Sequence, residues 1–260
     1  MRVALMQLHV SSEETMAQRW ERAERMLSQV IDQSVDLIVL PELWRVGFSN
    51  FAKYEEAAEP LQGETQLRLA RWARTLNAHI VTGSLIEKQE ERLYNTTMLL
   101  DNNGTCMGSY RKIHLFGYDS QEQQLLTAGD TTSEIRTPYG VFGLATCYDL
   151  RFPEQFRRMV SQGTQAFLIC AAWPKVRIED WELFCRARAL ENQSFLLACN
   201  TCGTWNGEEG GGHSVIVSPE GRILAQAGET EELVLADIDL QEVEHFRARF
   251  PALHDRVCIS

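Results

Sequence analysis

VFGLATCYDLRFPE, residues 141–154, runs from small and apolar residues through a cysteine into a charged turn and a proline. Its first half lacks the polar alternation of a half-exposed strand and suits one covered on both faces. Pro153 fits the first turn of a helix, where a missing N–H costs nothing. Strand, tight turn and helix in this order predict one unit of an α/β fold. Cys147 then stands at the strand's C-terminal end, where open α/β sheets place their ligands. A thiol in that position is either packed into the core or lifted towards free backbone N–H groups as a nucleophile.

The same style extends both ways along the chain. VALMQL precedes a helical stretch from about Glu14 to Gln33; DLIVLPE, a helix from about Thr65 to Asn77, and HIVTGSLIE follow. TTMLLD and TCMGSYRKI flank Asn102-Asn103-Gly104, which predicts a hairpin. Beyond Pro153 come a helix, AFLICAAW, a second helix from about Ile178 to Asn192, and SFLLACN. HSVIVSP and RILAQAG, joined by Pro219-Glu220-Gly221, predict another hairpin before ELVLADIDL. The uniformly apolar strands need cover on both faces, from helices on each side or from helices on one and a second sheet on the other. A chain of 260 residues suits one large α/β domain or two smaller ones, and no linker rich in Pro, Gly or Ser divides it. GTWNGEEGGG, residues 203–212, is too short for a tether and reads as a flexible pocket rim or interface loop.

Apolar residues make up 44% and charged residues 23%, an ordinary globular balance. A net charge of -11 without a dense Lys/Arg cluster argues against nucleic acid and anionic membranes as partners. The first residues do not form a signal peptide and no long apolar segment follows, so a cytoplasmic protein is expected. In a reducing compartment most of the seven cysteines, at 106, 147, 170, 185, 199, 202 and 258, serve as small hydrophobes. Cys199 and Cys202 form a lone C-x-x-C, which is a redox pair, half a zinc site or simply a strand end. No phosphate loop, dinucleotide fingerprint or metal-ligand spacing stands out, so no cofactor is expected.

A nucleophilic thiol needs a base. The six histidines are scattered, and only His114 lies in a suspicious stretch. A carboxylate can serve instead if burial raises its pKa. DLIVLPE places Glu42 after an apolar strand and a proline, where it is either a surface residue or a group projecting from the sheet end as Cys147 does. GSYRKIHLF delivers Lys112 among Ile113, Leu115 and Phe116, as a snorkelling edge residue or a buried cation paired with carboxylates.

A base, a cation and a thiol, each at a strand end, resemble the Glu-Lys-Cys triad of the nitrilase superfamily of carbon–nitrogen hydrolases. LPELW supplies Glu42, YRKIHLF supplies Lys112 and TCYDLRFPE supplies Cys147. MQL, YNTTMLLD, ARALENQ and GHSVIVSPEG extend the likeness over nearly the whole chain. The family's second glutamate maps to Glu122 in SQEQQLL, counted back from TAGD, where an exposed helical glutamate is the alternative. The resemblance implies one domain over residues 1–260, a four-layer αββα sandwich and commonly a homodimer. It also implies that Glu42 takes the thiol proton, Cys147 attacks an amide carbon, and Lys112 with the Tyr148 N–H holds the oxyanion. Glu42 then protonates leaving ammonia and activates the water that cleaves the thioester. Glu122 positions Lys112 or the substrate.

Tyr148-Asp149 stands where true nitrilases usually carry Trp-Glu, so the chain is closer to omega-amidases and related small-amide hydrolases. The expected partners are a small amide such as 2-oxoglutaramate or succinamate, and water. N-carbamoyl compounds and nitriles are the alternative substrates, and a catalytically idle scaffold is the alternative of another class. Trp173 follows a strand end and either faces the substrate or caps the core. Arg151, Lys175 and Arg177 are the candidate readers of a distal carboxylate, with Arg151 alternatively pairing Asp149 or Glu154. Trp181, Phe184, Arg188 and Glu191 share a helix face expected to pack on the sheet or on a dimer partner.

Overall fold

The computed structural model describes residues 1–257, so Cys258 lies outside the described residues. One mixed sheet takes β1 (Arg2–Gln7), β2 (Leu37–Val39), β3 (His79–Gln89), β4 (Arg92–Leu100) and β5 (Cys106–Arg111). A second takes β6 (Ser133–Arg136), β7 (Val141–Thr146), β8 (Ala166–Ala171) and β9 (Phe195–Asn200). After a small ribbon of β10 (Thr204–Trp205) and β11 (Glu208–Glu209), β12 (Val215–Val217) and β13 (Ile223–Gln226) join the second sheet, and β14 (Glu232–Asp237) returns to the first. The strand orders are β14-β1-β2-β3-β4-β5 and β13-β12-β9-β8-β7-β6. In each, three central parallel strands, β1-β2-β3 and β7-β8-β9, are extended on both sides by antiparallel strands.

The helices are α1 (Met16–Ser28), α2 (Tyr54–Ala57), α3 (Glu64–Leu76), α4 (Glu122–Leu125), α5 (Pro153–Ser161), α6 (Ile178–Asn192) and α7 (Gln241–Arg249). α1 and α3 cover the outer face of the first sheet and α5 and α6 that of the second, while Val243 of α7 packs in the core between the sheets. Alternate side chains of each strand serve different cores. Ala4 and Met6 pack with Trp20 and Ala23 of α1 and Leu69 and Ala73 of α3. Val3 and Leu5 turn the other way, onto Leu144, Leu168 and Leu197 of the second sheet. Ala145, Ile169 and Ala198 in turn meet Phe156 of α5 and Trp181 and Cys185 of α6. The layers are therefore helix, sheet, sheet, helix, which resolves the choice left open by the apolar strands.

Both predicted hairpins form, and α6 has the expected bounds. The first helix is shorter than its apolar pattern. It begins at a capping box between Thr15 and Gln18 and ends at Ser28, after which Val30 is buried from a turn rather than from the helix. Among the described residues no helix is long and apolar enough to cross a membrane.

The two sheets are also tied at their ends. Glu42 N–H donates to Ala171 O at 3.2 Å, so the segment after β2 docks on the end of β8 in the other sheet. Gly83, at φ +69°, lets β3 pass against the Pro41 carbonyl, where a Cβ would collide.

Candidate active site

Four chain segments converge where the strand ends of the two sheets meet. Glu42 enters after Pro41, Lys112 directly follows β5, Glu122 comes from the single turn α4, and Cys147 follows β7 in the second sheet. Glu42, Lys112 and Glu122 are 0% exposed. Lys112 Nζ donates to Glu42 Oε1 at 2.9 Å and to both Glu122 oxygens at 3.0 Å. Asn95 Nδ2 donates to Glu42 Oε1 at 2.8 Å and Glu122 Oε1 at 3.1 Å. Backbone N–H groups complete the set, Ala172 to Glu42 Oε2 at 3.0 Å and Phe116 to Glu122 Oε2 at 2.6 Å. Lys112 is therefore a buried, paired cation and not a snorkelling edge residue. Glu122 is buried although Gln121, Gln123 and Gln124 around it are exposed, because one helical turn can aim a single side chain inward.

Burial sets the proton affinities. Desolvation lifts the Cys147 thiol well above the usual thiol range, and the neighbouring Glu42 carboxylate lifts it further against the opposing pull of Lys112. The resting thiol is thus neutral, so any nucleophilic use of it requires a base to take its proton. Burial alone would lower Lys112, but Glu122 and Glu42 outweigh it and hold the ammonium charged. Burial also raises Glu122, with Lys112 opposing. Cys147 itself has φ +46°, a strained conformation for a residue with a Cβ, at the start of a short 3₁₀ turn over Cys147–Arg151. The N–H groups of a first helical turn lack internal acceptors, and here Tyr148 carries one of them.

Cys147 opens onto a small cavity of about 50 Å³. Its walls are mainly apolar and aromatic, from Phe48, Phe116, Tyr148, Trp173 and Pro174, and its charged residues are Arg151, Arg177 and Glu208. Trp173 serves both expected roles: it lines the cavity and packs on Trp181, with its indole N–H held by Arg177 O at 2.8 Å. Arg151 lines the cavity, as the substrate-reader alternative required, and pairs with Asp180 at 2.6 Å, brought to it by α6, rather than with Asp149 or Glu154, the other alternative. Arg177 lies over the Phe116 and Tyr118 rings at 5.8 and 5.3 Å, and among the described residues no carboxylate pairs with it. Lys175 departs from expectation. Its exposed ammonium is held by Glu229 at 2.8 Å and Glu209 at 3.1 Å, and it is absent from the cavity wall. Two residues along a 3₁₀ turn is enough to send neighbouring basic side chains to different faces.

The comparisons with known proteins agree with this geometry. The model of the carbon-nitrogen hydrolase family matches residues 2–248. This chain belongs to the carbon-nitrogen hydrolase family. Among its relatives, a 2-oxoglutaramate amidase of Paenarthrobacter nicotinovorans is 38% identical over 98% of this chain and 88% of its own. The omega-amidase NIT3 of Saccharomyces cerevisiae is 32% identical over 98% and 92%. The crystal structure of Saccharomyces cerevisiae Nit3, a member of branch 10 of the nitrilase superfamily, superposes with a TM-score of 0.87 at 31% identity, covering 96% of this chain and 94% of the other. The protein is an amidase-type enzyme with the nitrilase-superfamily fold.

Several site residues of this carbon-nitrogen hydrolase escape a reading of its sequence. Asn95 sits mid-strand in YNTTMLLD, and only its buried position there signals a polar task. Phe48 lies 5.4 Å from Lys112 Nζ and forms part of the cavity wall, yet comes from an irregular segment with no periodicity to read. Glu208, on the β10–β11 ribbon, puts part of the 203–212 loop at the cavity wall. Cys199 and Cys202 are buried free thiols at and just past the end of β9, the strand-end reading of C-x-x-C.

Proposed function

We propose that this amidase hydrolyses the ω-amide of a small acid, as omega-amidases do with 2-oxoglutaramate or succinamate, through Glu42, Lys112 and Cys147. The observation that carries the reading is the fully buried Glu42–Lys112–Glu122 cluster beside Cys147, which opens onto an apolar cavity. Burying three ionised groups costs several kcal/mol per ion, an expense without purpose in an idle scaffold.

In this mechanism Glu42 takes the Cys147 S–H proton as the sulfur bonds to the amide carbon, and the carbonyl π pair moves to oxygen. Lys112 and the Tyr148 N–H stabilise the oxyanion that forms. The C–N bond then breaks, with Glu42 returning its proton so that ammonia departs and a thioester remains. Water gives its proton to Glu42 and its oxygen to the acyl carbon, and the carboxylic acid leaves as the thiol is restored. Glu122 holds Lys112 between two carboxylates and so aims its ammonium.

The substrate's distal carboxylate falls to Arg177, which lines the cavity and, among the described residues, has no carboxylate of its own, whereas Arg151 is already engaged by Asp180. Glu42 and Lys112 come from one sheet and Cys147 from the other, so the chain acts as a single catalytic domain. The reading extends to a cytoplasmic homodimer: the described cysteines are free thiols, and Leu183, Leu190 and Leu224 expose apolar surface on α6 and β13.

Ammonia release from 2-oxoglutaramate, succinamate, glutamine, aliphatic amides, N-carbamoyl amino acids and nitriles tests this, with Cys147→Ala as the blank. Strong turnover of the acidic ω-amides, absent in the blank, is expected. Turnover retained by Cys147→Ala removes the nucleophile, and turnover confined to another class removes the substrate.

A further inference from the structure

Asp149 lies two residues beyond Cys147 and is fully buried, but it neither joins the charge cluster nor lines the cavity. Among the described residues no lysine or arginine pairs with it, and the side chain beside it is the His114 imidazole. Its carboxylate instead collects four donors. Oδ2 accepts from Thr146 N–H at 2.8 Å and Tyr110 O–H at 2.7 Å. Oδ1 accepts from His114 N–H at 3.1 Å and lies 2.7 Å from His114 Nδ1.

These donors come from both sides of the site. Thr146 immediately precedes the nucleophile, whereas Tyr110 and His114 bracket Lys112. Tyr110 Oη also accepts from Ile113 N–H at 3.0 Å and Gln155 Nε2 at 2.9 Å, and the His114 ring stacks on Phe152 at 3.7 Å. β5 and β7 belong to different sheets, so no strand ladder holds Cys147 in register with Lys112. The left-handed backbone at Cys147 also needs its surroundings to hold it.

We infer that Asp149 is a positioning residue, a strut that fixes the Cys147 turn against Lys112 across the two sheets, with Tyr110 and His114 as its other ends. The inference rests on the proposed roles of Cys147 and Lys112. Replacing the carboxylate frees the turn to relax, and a misplacement of about 1 Å between reacting groups costs on the order of 100-fold in rate. An asparagine keeps an acceptor for Thr146 and Tyr110 and can donate to the other tautomer of His114, but loses the acceptor for the His114 N–H.

The test compares Asp149→Ala, Asp149→Asn and Tyr110→Phe by single-turnover acylation per folded molecule, kcat, KM and chemical unfolding. Acylation and kcat are expected to fall roughly 100-fold in Asp149→Ala and about 10-fold in Asp149→Asn and Tyr110→Phe, with KM within about twofold. If Asp149→Ala does not fold, the two milder variants decide. Wild-type acylation by folded Asp149→Asn and Tyr110→Phe, or a rise in KM at unchanged kcat, overturns the strut. Cys147→Ala runs alongside: its inactivity leaves the nucleophile in place when the strut fails, and its activity sinks the nucleophile instead.

Discussion

Replacing Lys112 with methionine keeps most of the side chain's bulk and removes the only cation of the buried cluster. Its contacts to Glu42 and Glu122, at 2.9 and 3.0 Å, each amount to roughly 5 kcal/mol of attraction at an effective permittivity near 20. Desolvating the ions cancels much of this, and truncating one partner of a buried pair typically costs about 3–5 kcal/mol. That loss is expected in the unfolding free energy of Lys112→Met at neutral pH. Its pH dependence has a definite sign. Burial already raises Glu122, and removing Lys112, the main opposing influence, raises it further. A carboxyl whose folded pKa exceeds its unfolded value, about 4.3, contributes stability below that value which is lost as pH rises through the folded one. The deficit of Lys112→Met relative to wild type should therefore be small near about pH 5 and grow towards about pH 8. Adding Glu122→Gln removes one of the stranded charges and recovers part of it. Urea unfolding followed by tryptophan fluorescence across this range measures the deficit, and ammonia release should be lost throughout. A deficit below about 1 kcal/mol with no pH trend would refute an ionised, buried cluster.

The distal subsite and the entry to the cluster can be tested separately. Arg177→Ala should raise KM for an acidic ω-amide about 10- to 100-fold, the equivalent of a charged hydrogen bond of about 1.5–3 kcal/mol, with kcat little changed. Lys175→Ala should leave KM within about twofold; equal effects of the two substitutions would undo the assignment of the subsite to Arg177. Gly83→Ala puts a Cβ against the Pro41 carbonyl at a left-handed φ, so it should destabilise by more than about 1 kcal/mol and displace Glu42, lowering kcat in the protein that still folds. Wild-type stability and turnover in that variant would mean that the backbone approach does not set Glu42.

Cys147, Glu42 and Lys112 were legible because each follows a β-type run that sequence pattern marks well, and strand ends are where α/β sheets gather ligands. Glu122 was legible only by resemblance, since its polar neighbours hide a side chain that the fold turns inward. Asn95, Phe48 and Asp149 were not legible as members of a site. Their tasks depend on partners 27 to 53 residues away in Asn95, and 35 to 39 in Asp149, and no local pattern encodes such distances. The basic residues after Trp173 show the same limit in reverse: Lys175 and Arg177 look alike in sequence, yet one is taken by surface carboxylates and the other faces the cavity.

The chain's own pattern of apolar strands, capped helices and turn residues determined its α/β character, both hairpins and the bounds of α6, because these rest on contacts between near neighbours. The stacking of two sheets face to face, which the residue pattern left open and only the family resemblance implied, the burial of Lys112 between two carboxylates and the choice of Arg177 over Lys175 were decided by tertiary structure. Each of these requires surfaces far apart in sequence to exclude water together, and it is that exclusion which turns an ordinary thiol, lysine and glutamate into a charge-coupled site.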